Sequence, residues 1–340
     1  MKVLFDFDDI LIEPASFSSI SSRKSLSVKD ENGYLPLFTA PMDTVISPEN
    51  AHFFKNVGIK PVLPRIANPT QDYVSTEYFL SYSLDDFNKI FLTEKLNIDK
   101  PIYVLIDIAN GHMLNLYDSS MLAKKIYGDK MILMVGNIAN PITFESYCDI
   151  GVDYVRVGIG NGNGCLTAQQ LGVSYPMASL IEECAVHSTG NTKIVADGGF
   201  KKYSDVIKAL GIGADYVMLG SILNKALESA GETRNTDNIL INQYHDEAKE
   251  FFSYGGKLTK VFRGMSTKEV QKAWGKEILT TSEGVVRTQD VEYTLQGWVE
   301  NFEDYLKSAM SYCNKETLQQ FIGGVKYNQI TNNAFNRFNK

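Results

Sequence analysis

Cysteine and histidine are scarce in this chain, and long apolar runs are missing. The four cysteines, Cys148, Cys165, Cys184 and Cys313, show no Cys-x-x-Cys or Cys/His spacing of the zinc type. So few thiols in 340 residues exclude a disulfide-stapled scaffold and fit a reduced, cytoplasmic compartment. No run of 18 apolar residues occurs, so no membrane-spanning helix and no membrane partner are expected. The opening MKVLFDFDDI puts Asp6, Asp8 and Asp9 where a secretion signal needs an apolar core, which argues against such a signal. Basic runs stop at pairs such as Lys124–Lys125 and Lys201–Lys202. With a net charge of −7, a nucleic-acid partner is not expected.

What is present is a repeated pattern. Short runs, apolar on both faces, recur at PLFTA (Leu37), KPVL (Lys60), IYVLID (Ile102), MILMVG (Met131), DYVRVG (Asp153), KIVAD (Lys193) and DYVMLG (Asp215). Strands of a covered parallel sheet read this way. Between them lie stretches of helical spacing, such as SSMLAKKIYG from Ser119 and KYSDVIKALGIG from Lys202, the latter stopping at Gly211 and Gly213. Starts at Ile102, Met131, Asp153, Lys193 and Asp215 are 29, 22, 40 and 22 residues apart, about one strand plus one helix each. The reading is a single α/β domain over 1–340, a (β/α)8 TIM barrel with C-terminal helices. Past Leu223 the alternation fades. Residues 225–260 read as a polar insertion, in part disordered. Residues 266–285 read as a mobile flap. TLQGWVENFEDYLKSAMSYCNKETLQQFI reads as two amphipathic helices.

The 40-residue interval holds VRVGIGNGNGCLTAQQLG, with glycines at 158, 160, 162 and 164 before Cys165. It is not a dinucleotide fingerprint, because the third glycine position falls on Asn163 or Cys165. It is not a P-loop, because no Gly-Lys-Ser/Thr follows. Alternate glycines let carbonyls or amides turn inward around an ion or a flat ligand. A plain turn with an incidental buried cysteine is the competing reading. Position decides between them: the loop leaves the C-terminal end of a barrel strand, where such barrels keep their chemistry. There, backbone amides can lower a thiol pKa. VADGGF at Val195 and VMLGSIL at Val217 end the next two strands with glycines and free amides, as a phosphate site does. Together they suggest a nucleoside monophosphate pocket beside a nucleophile.

These residues resemble the IMP dehydrogenase and GMP reductase family. FDFDDILIEP at Phe5, TAPMDTV at Thr39, GIGNGNGCLT at Gly158, VADGGF, YVMLGSIL, FRGMS, SEG at Ser282 and GVKYNQIT at Gly324 follow the family's order over nearly the whole chain. The resemblance implies that Cys165 attacks purine C2 to form a thioimidate. It implies that Thr167 and Glu283 move a proton to or from ammonia. It places potassium on the carbonyls of Gly160, Gly162 and Cys165. The substrate would meet Met42, Asn163, Asp197 (ribose), Gly198, Gly199, Gly220 and Ser221 (phosphate), and Gly264, Met265 and Ser266. The nicotinamide cofactor would meet Asp107, Asn110 and Gly111. A homotetramer is implied as well.

The loop departs from the family at Asn161, Asn163 and Gly164. The lid stretch KEVQKAWGKEILTTSEG lacks the Arg-Tyr pair with which the dehydrogenase activates water, and no room exists for its regulatory CBS insertion. Arg156 and the tail ITNNAFNR lean the other way. The resemblance therefore favours NADPH-dependent reductive deamination of GMP. The alternatives are an NAD-dependent IMP dehydrogenase without CBS domains and a catalytically silent purine-nucleotide-binding protein. His187 and His245 read as surface or helix residues, and Cys148, Cys184 and Cys313 as small core residues. Trp274 reads equally well as a lid anchor or as plain packing.

Overall fold

In a computed structural model, residues 3–275, 281 and 284–338 are described. Strand β1 (Ile10–Ile12) precedes a ring of eight parallel strands. These are β2 (Leu37–Thr39), β3 (Val62–Leu63), β4 (Phe79–Tyr82), β5 (Ile102–Asp107), β6 (Met131–Ile138), β7 (Tyr154–Val157), β8 (Lys193–Asp197) and β9 (Tyr216–Leu219). Neighbours pair in chain order, and β9 pairs back to β2. A parallel bridge between Phe38 and Lys60 joins β2 to the entry of β3 and closes the barrel. The expected (β/α)8 architecture is the one observed.

Burial on two sides explains the composition of these strands. Their outer faces meet helices and their inner faces meet the opposite wall. Inside the ring Phe38, Val62, Phe79, Leu105, Met134, Val195 and Met218 form a separate apolar cluster. Phe38 meets Phe79 edge-on at 5.8 Å and Tyr216 at 4.9 Å. The interior is filled, so polar chemistry is confined to the rim. The sequence reading missed β4. Its four residues, FLSY, carry a serine at a fully buried position, where the Ser81 hydroxyl donates to the Leu63 carbonyl at 2.6 Å. A satisfied polar residue in so short a strand breaks the apolar signal. Helix boundaries follow local chemistry. Asn140 caps Pro141–Asp149 by accepting from Ile142 N, with Pro141 in the first turn. Gly213 ends the helix Tyr203–Ile212 as expected, whereas Gly211 lies within it.

The polar stretch after β9 differs from the expectation of partial disorder. It forms regular elements: β10 (Thr233–Asn235), β11 (Leu240–Ile241), the helix Asp246–Ser253 and β12 (Leu258–Arg263). With β13 (Val286–Asp290) these strands make an antiparallel sheet in the order β11-β10-β12-β13. Its inner side is thinly apolar, with Leu227, Leu258 and Val291 buried together, which is why no core face shows in the sequence. Lys260 of β12 is fully buried. Its Nζ donates to the carbonyls of Leu227 (2.7 Å) and Ser229 (2.5 Å), tying this sheet to the chain leaving β9. Burial pushes the Lys260 ammonium down to about 7, with nearby Glu228 acting in the opposite sense.

The C-terminal part has one long amphipathic helix, Leu295–Tyr312, followed by only a single turn at Leu318–Phe321. Strand β14 (Tyr327–Gln329) then pairs antiparallel with β1, joining the two ends of the chain. Cys148, Cys184 and Cys313 are buried, as their core reading required. His187 pairs with Glu145 at 2.9 Å on the half-exposed surface. Among the described residues no helix is long and apolar enough to cross a membrane.

Candidate active site

The loop after β7 carries Cys165 just before the helix Thr167–Leu171. The Cys165 thiol donates to Thr167 Oγ1 at 3.2 Å. Cys165 N donates to the Gly162 carbonyl at 2.9 Å, folding the loop back on itself. A second set of bonds fixes the loop from above. Cys165 and Gly284 form an antiparallel bridge, Val285 N donates to the Gly164 carbonyl (3.2 Å), and Gly264 N donates to the Val285 carbonyl (2.9 Å). The loop, the Gly264–Ser266 segment and the residues after Glu283 therefore meet at one point. Ser282 and Glu283 themselves lie outside the described residues.

Close approach dictates glycine at the base of the loop. Gly158 has φ +132°, and a Cβ there would lie 2.4 Å from the Asp197 carbonyl. Gly198 has φ +98°, and its Cβ would lie 3.0 Å from Gly162 N. The Asp197–Gly199 turn is thus pressed against the cysteine loop. Asn163 Nδ2 donates to Ser221 Oγ at 2.9 Å, which brings the start of the helix Ser221–Asn224 to the same place. Met42 abuts Gly220. Arg263 grips Asp43 through Nε at 3.1 Å and through Nη2, which holds the Met42 and Gly264 segments together.

A charge network crosses the rim beside the loop. Arg156, 6% exposed, points into the barrel mouth from β7. Its Nη1 donates to Asp107 Oδ1 at 2.6 Å, and its Nη2 and Nε donate to Asp197 Oδ2 at 2.8 and 3.2 Å. Burial alone pulls this guanidinium's pKa down. Asp197 and Asp107 more than offset that and hold it above the ordinary arginine value. Asn137 Nδ2 also donates to Asp197 Oδ2 (2.8 Å) and to the Gly158 carbonyl (2.9 Å). Asp197 Oδ1 carries no hydrogen bond among the described residues. On the other side Arg65 Nε lies 3.4 Å from Asp107 Oδ2, and the Arg65 guanidinium stacks on the Trp274 ring at 3.6 Å.

The segment expected on the cofactor side is set by hydrogen bonds. Gly111 N donates to the Asn137 carbonyl (2.7 Å), and the Tyr147 hydroxyl donates to the Gly111 carbonyl (2.9 Å). His112 N donates to Asn110 Oδ1 at 3.2 Å. His112 then joins two loops: its Nε2 accepts from Ala139 N (3.0 Å) and its Nδ1 meets Thr143 Oγ1 (2.9 Å). Ser266 presents its carbonyl to Gln271 Nε2 at 3.2 Å. Met265 follows Gly264 on the same turn. The sequence reading noticed Arg156 only as a family marker, and it overlooked Asn137 and Arg65. Arg156 had a signal: it is the one charged residue within β7, Tyr154–Val157. Asn137 lies near the end of β6 and Arg65 two residues past β3, and nothing in their neighbours marks them.

Comparison with known proteins shows the family to which the chain belongs. The model of the IMP dehydrogenase / GMP reductase domain matches residues 85–337, about three quarters of the chain. Curated relatives include the GMP reductase of Caenorhabditis elegans, 26% identical over 96% of this chain and 92% of the relative. GMP reductase 1 of Homo sapiens is 28% identical over 97% and 93%. The GMP reductase of Phytophthora infestans is 29% identical over 99% and 94%. By its barrel, its cysteine loop and this match, the chain belongs to the IMP dehydrogenase / GMP reductase family.

Proposed function

We propose that this protein reductively deaminates GMP, or a closely related purine nucleotide, to IMP and ammonia with NADPH. The observation that carries the reading is the Cys165–Thr167 pair, 3.2 Å apart, pinned beneath Gly264 and Gly284 at the barrel mouth. The full-length relatives named GMP reductase support the direction.

In this reading Cys165 Sγ gives its proton toward Thr167 Oγ1 and bonds to purine C2. Thr167, working with Glu283, passes a proton to the 2-amino group, which leaves as ammonia. Bound NADPH supplies the hydride that C2 receives. The C2–S bond then breaks, its electron pair returns to sulfur, and IMP is released. Asp197 Oδ1 accepts from a ribose hydroxyl, while Arg156 and Asn137 hold Oδ2 in place. Gly198, Gly199, Gly220 and Ser221 surround the phosphate, with Asn163 donating from the loop side. Met42, Gly264, Met265 and Ser266 border the base.

The residues present fit both implied groups. The carbonyls of Gly160 and Cys165 accept no hydrogen bond among the described residues, and the Gly162 carbonyl accepts one, from Cys165 N. In the same loop Asn161 Oδ1 is buried and has no hydrogen-bond partner among the described residues. Such acceptors, with no donors among them, suit a potassium ion held by carbonyl oxygens. No cluster of three or more His, Cys, Asp or Glu that could hold a metal occurs among the described residues. For NADPH, the fit rests on Asn110, exposed beside Asp107, whose Nδ2 makes no hydrogen bond among the described residues. It is a free donor for a carboxamide or ribose oxygen, with Gly111 next to it. A homotetramer and a cytoplasmic location belong to the same reading.

Iodoacetamide labelling tests the pocket. GMP should slow alkylation of Cys165 and AMP should not. Equal labelling with and without every purine nucleotide would overturn the nucleotide site. Protection by GMP without turnover of any purine nucleotide would favour the silent binding protein. The dehydrogenase reading is favoured by Arg156, buried at the barrel mouth, together with the tail ITNNAFNR. It predicts NADH formation from IMP and NAD.

A further inference from the structure

The flap is held at two places, and they lie across the barrel from each other. One is the Cys165 loop after β7, where Gly284 bridges Cys165 and Gly264 pairs with Val285. The other is Arg65, two residues past the end of β3. In a closed ring of eight strands running in chain order, β3 and β7 are four apart, hence on opposite sides of the mouth. The helix Lys268–Ala273 leaves the Gly264 side, capped by Thr267, with Val270 and Gln271 buried beneath it. It ends at Trp274, whose ring lies 3.6 Å from the Arg65 guanidinium carbon.

The chemistry at this second seat is specific. Arg65 Nε is buried and has no hydrogen-bond partner among the described residues. It lies 3.4 Å from Asp107 Oδ2, an ion pair outside hydrogen-bond geometry. A planar, weakly hydrated cation with an unmatched donor gains from an aromatic face, and arginine gains more than lysine. Asp107 is in turn tied through Arg156 to Asp197. The stack therefore joins the Trp274 end of the helix Lys268–Ala273 to Asp107 at the end of β5 and, through Arg156, to Asp197 at the end of β8 beside the cysteine loop.

We propose that Arg65 and Trp274 are positioning residues for the reaction: their stack seats the C-terminal end of the helix Lys268–Ala273 and sets the rate of turnover without touching the reacting atoms. The turnover part rests on the proposed reading of the site; the seating part does not.

The chain holds two tryptophans, and Trp298 is buried against Phe302 in a ring stack at 5.4 Å. In a Trp298→Phe background, fluorescence therefore reports on Trp274 alone. Arg65→Met in that background should at least double acrylamide quenching, roughly, as the indole loses its cover. Trp274→Leu in the otherwise unchanged protein should lower kcat about tenfold, with KM for GMP within about twofold, and Trp274→Phe should keep about half of wild-type turnover or more. Quenching unaffected by Arg65→Met overturns the seating. Wild-type turnover in Trp274→Leu, or equal loss in Trp274→Phe and Trp274→Leu, overturns the positioning role. If the protein turns over no purine nucleotide, the quenching result still decides the seating, so the two failures are told apart.

Discussion

Arg156 holds Asp197 by two donors on one oxygen, Nη2 at 2.8 Å and Nε at 3.2 Å. The other carboxylate oxygen carries no hydrogen bond among the described residues. Its third donor, Nη1, holds Asp107 at 2.6 Å. One buried cation thus fixes the acceptor proposed for ribose and a carboxylate proposed for the cofactor side.

Removing that cation should be expensive. Arg156→Met leaves two part-buried carboxylates facing each other, and breaking a buried pair costs about 3–5 kcal/mol. Urea unfolding should show a loss of that size, with a raised KM for nucleotide. Arg156→Lys should fall between, since an ammonium cannot fork to both carboxylates. A methionine variant as stable as the wild type would contradict the role assigned to this network.

Cys165→Ala should abolish turnover and leave the unfolding curve nearly unchanged, because the thiol is half-buried in a loop held by backbone bonds. Thr167→Val should lower kcat by about 10²–10⁴ through loss of the proton path. Steady-state kinetics beside circular dichroism melts would separate the two effects. Full turnover in the alanine variant rules out the covalent route.

Gly158→Ala tests the loop base. Its φ of +132° strains any side chain, and the added Cβ would meet the Asp197 carbonyl at 2.4 Å. Strain alone costs about 1–3 kcal/mol, and the contact forces the cysteine loop away from Asp197. Nucleotide binding by calorimetry should be lost before the fold is. Undisturbed affinity would mean the loop does not depend on this approach.

Lys260 predicts a pH dependence. Burial lowers its folded-state pKa to about 7, against 10.5 for an ordinary lysine, so between these values the unfolded chain binds more protons than the folded one. Its contribution to stability should therefore rise from pH 7 toward 10.5 and be flat below 7. Unfolding free energies of the wild type minus those of Lys260→Met should climb over that window. A difference that is level or falls there would contradict the assignment.

The barrel was legible because a parallel sheet covered on both faces writes its strands as apolar runs. The cysteine loop was legible because alternate glycines are rare. What escaped were features whose meaning lies in contacts between distant segments. Ser81 hides β4 because its hydroxyl is satisfied by the neighbouring strand. The second sheet is held by a buried lysine and few apolar side chains, so it reads as a polar insertion. Arg65 and Trp274 are separated by more than 200 residues and meet only because β3 opens onto the flap. Asn161 and Asn163, read as departures in the loop, are used differently. Asn163 bonds Ser221, while Asn161 donates to the Tyr175 carbonyl and keeps a buried acceptor.

The most direct test of the central claim is the stoichiometry of purified protein with GMP and NADPH in potassium buffer. The account predicts one ammonia and one IMP for each NADPH oxidised, all lost in Cys165→Ala. NADH formation from IMP and NAD, with no ammonia released from GMP, would contradict it.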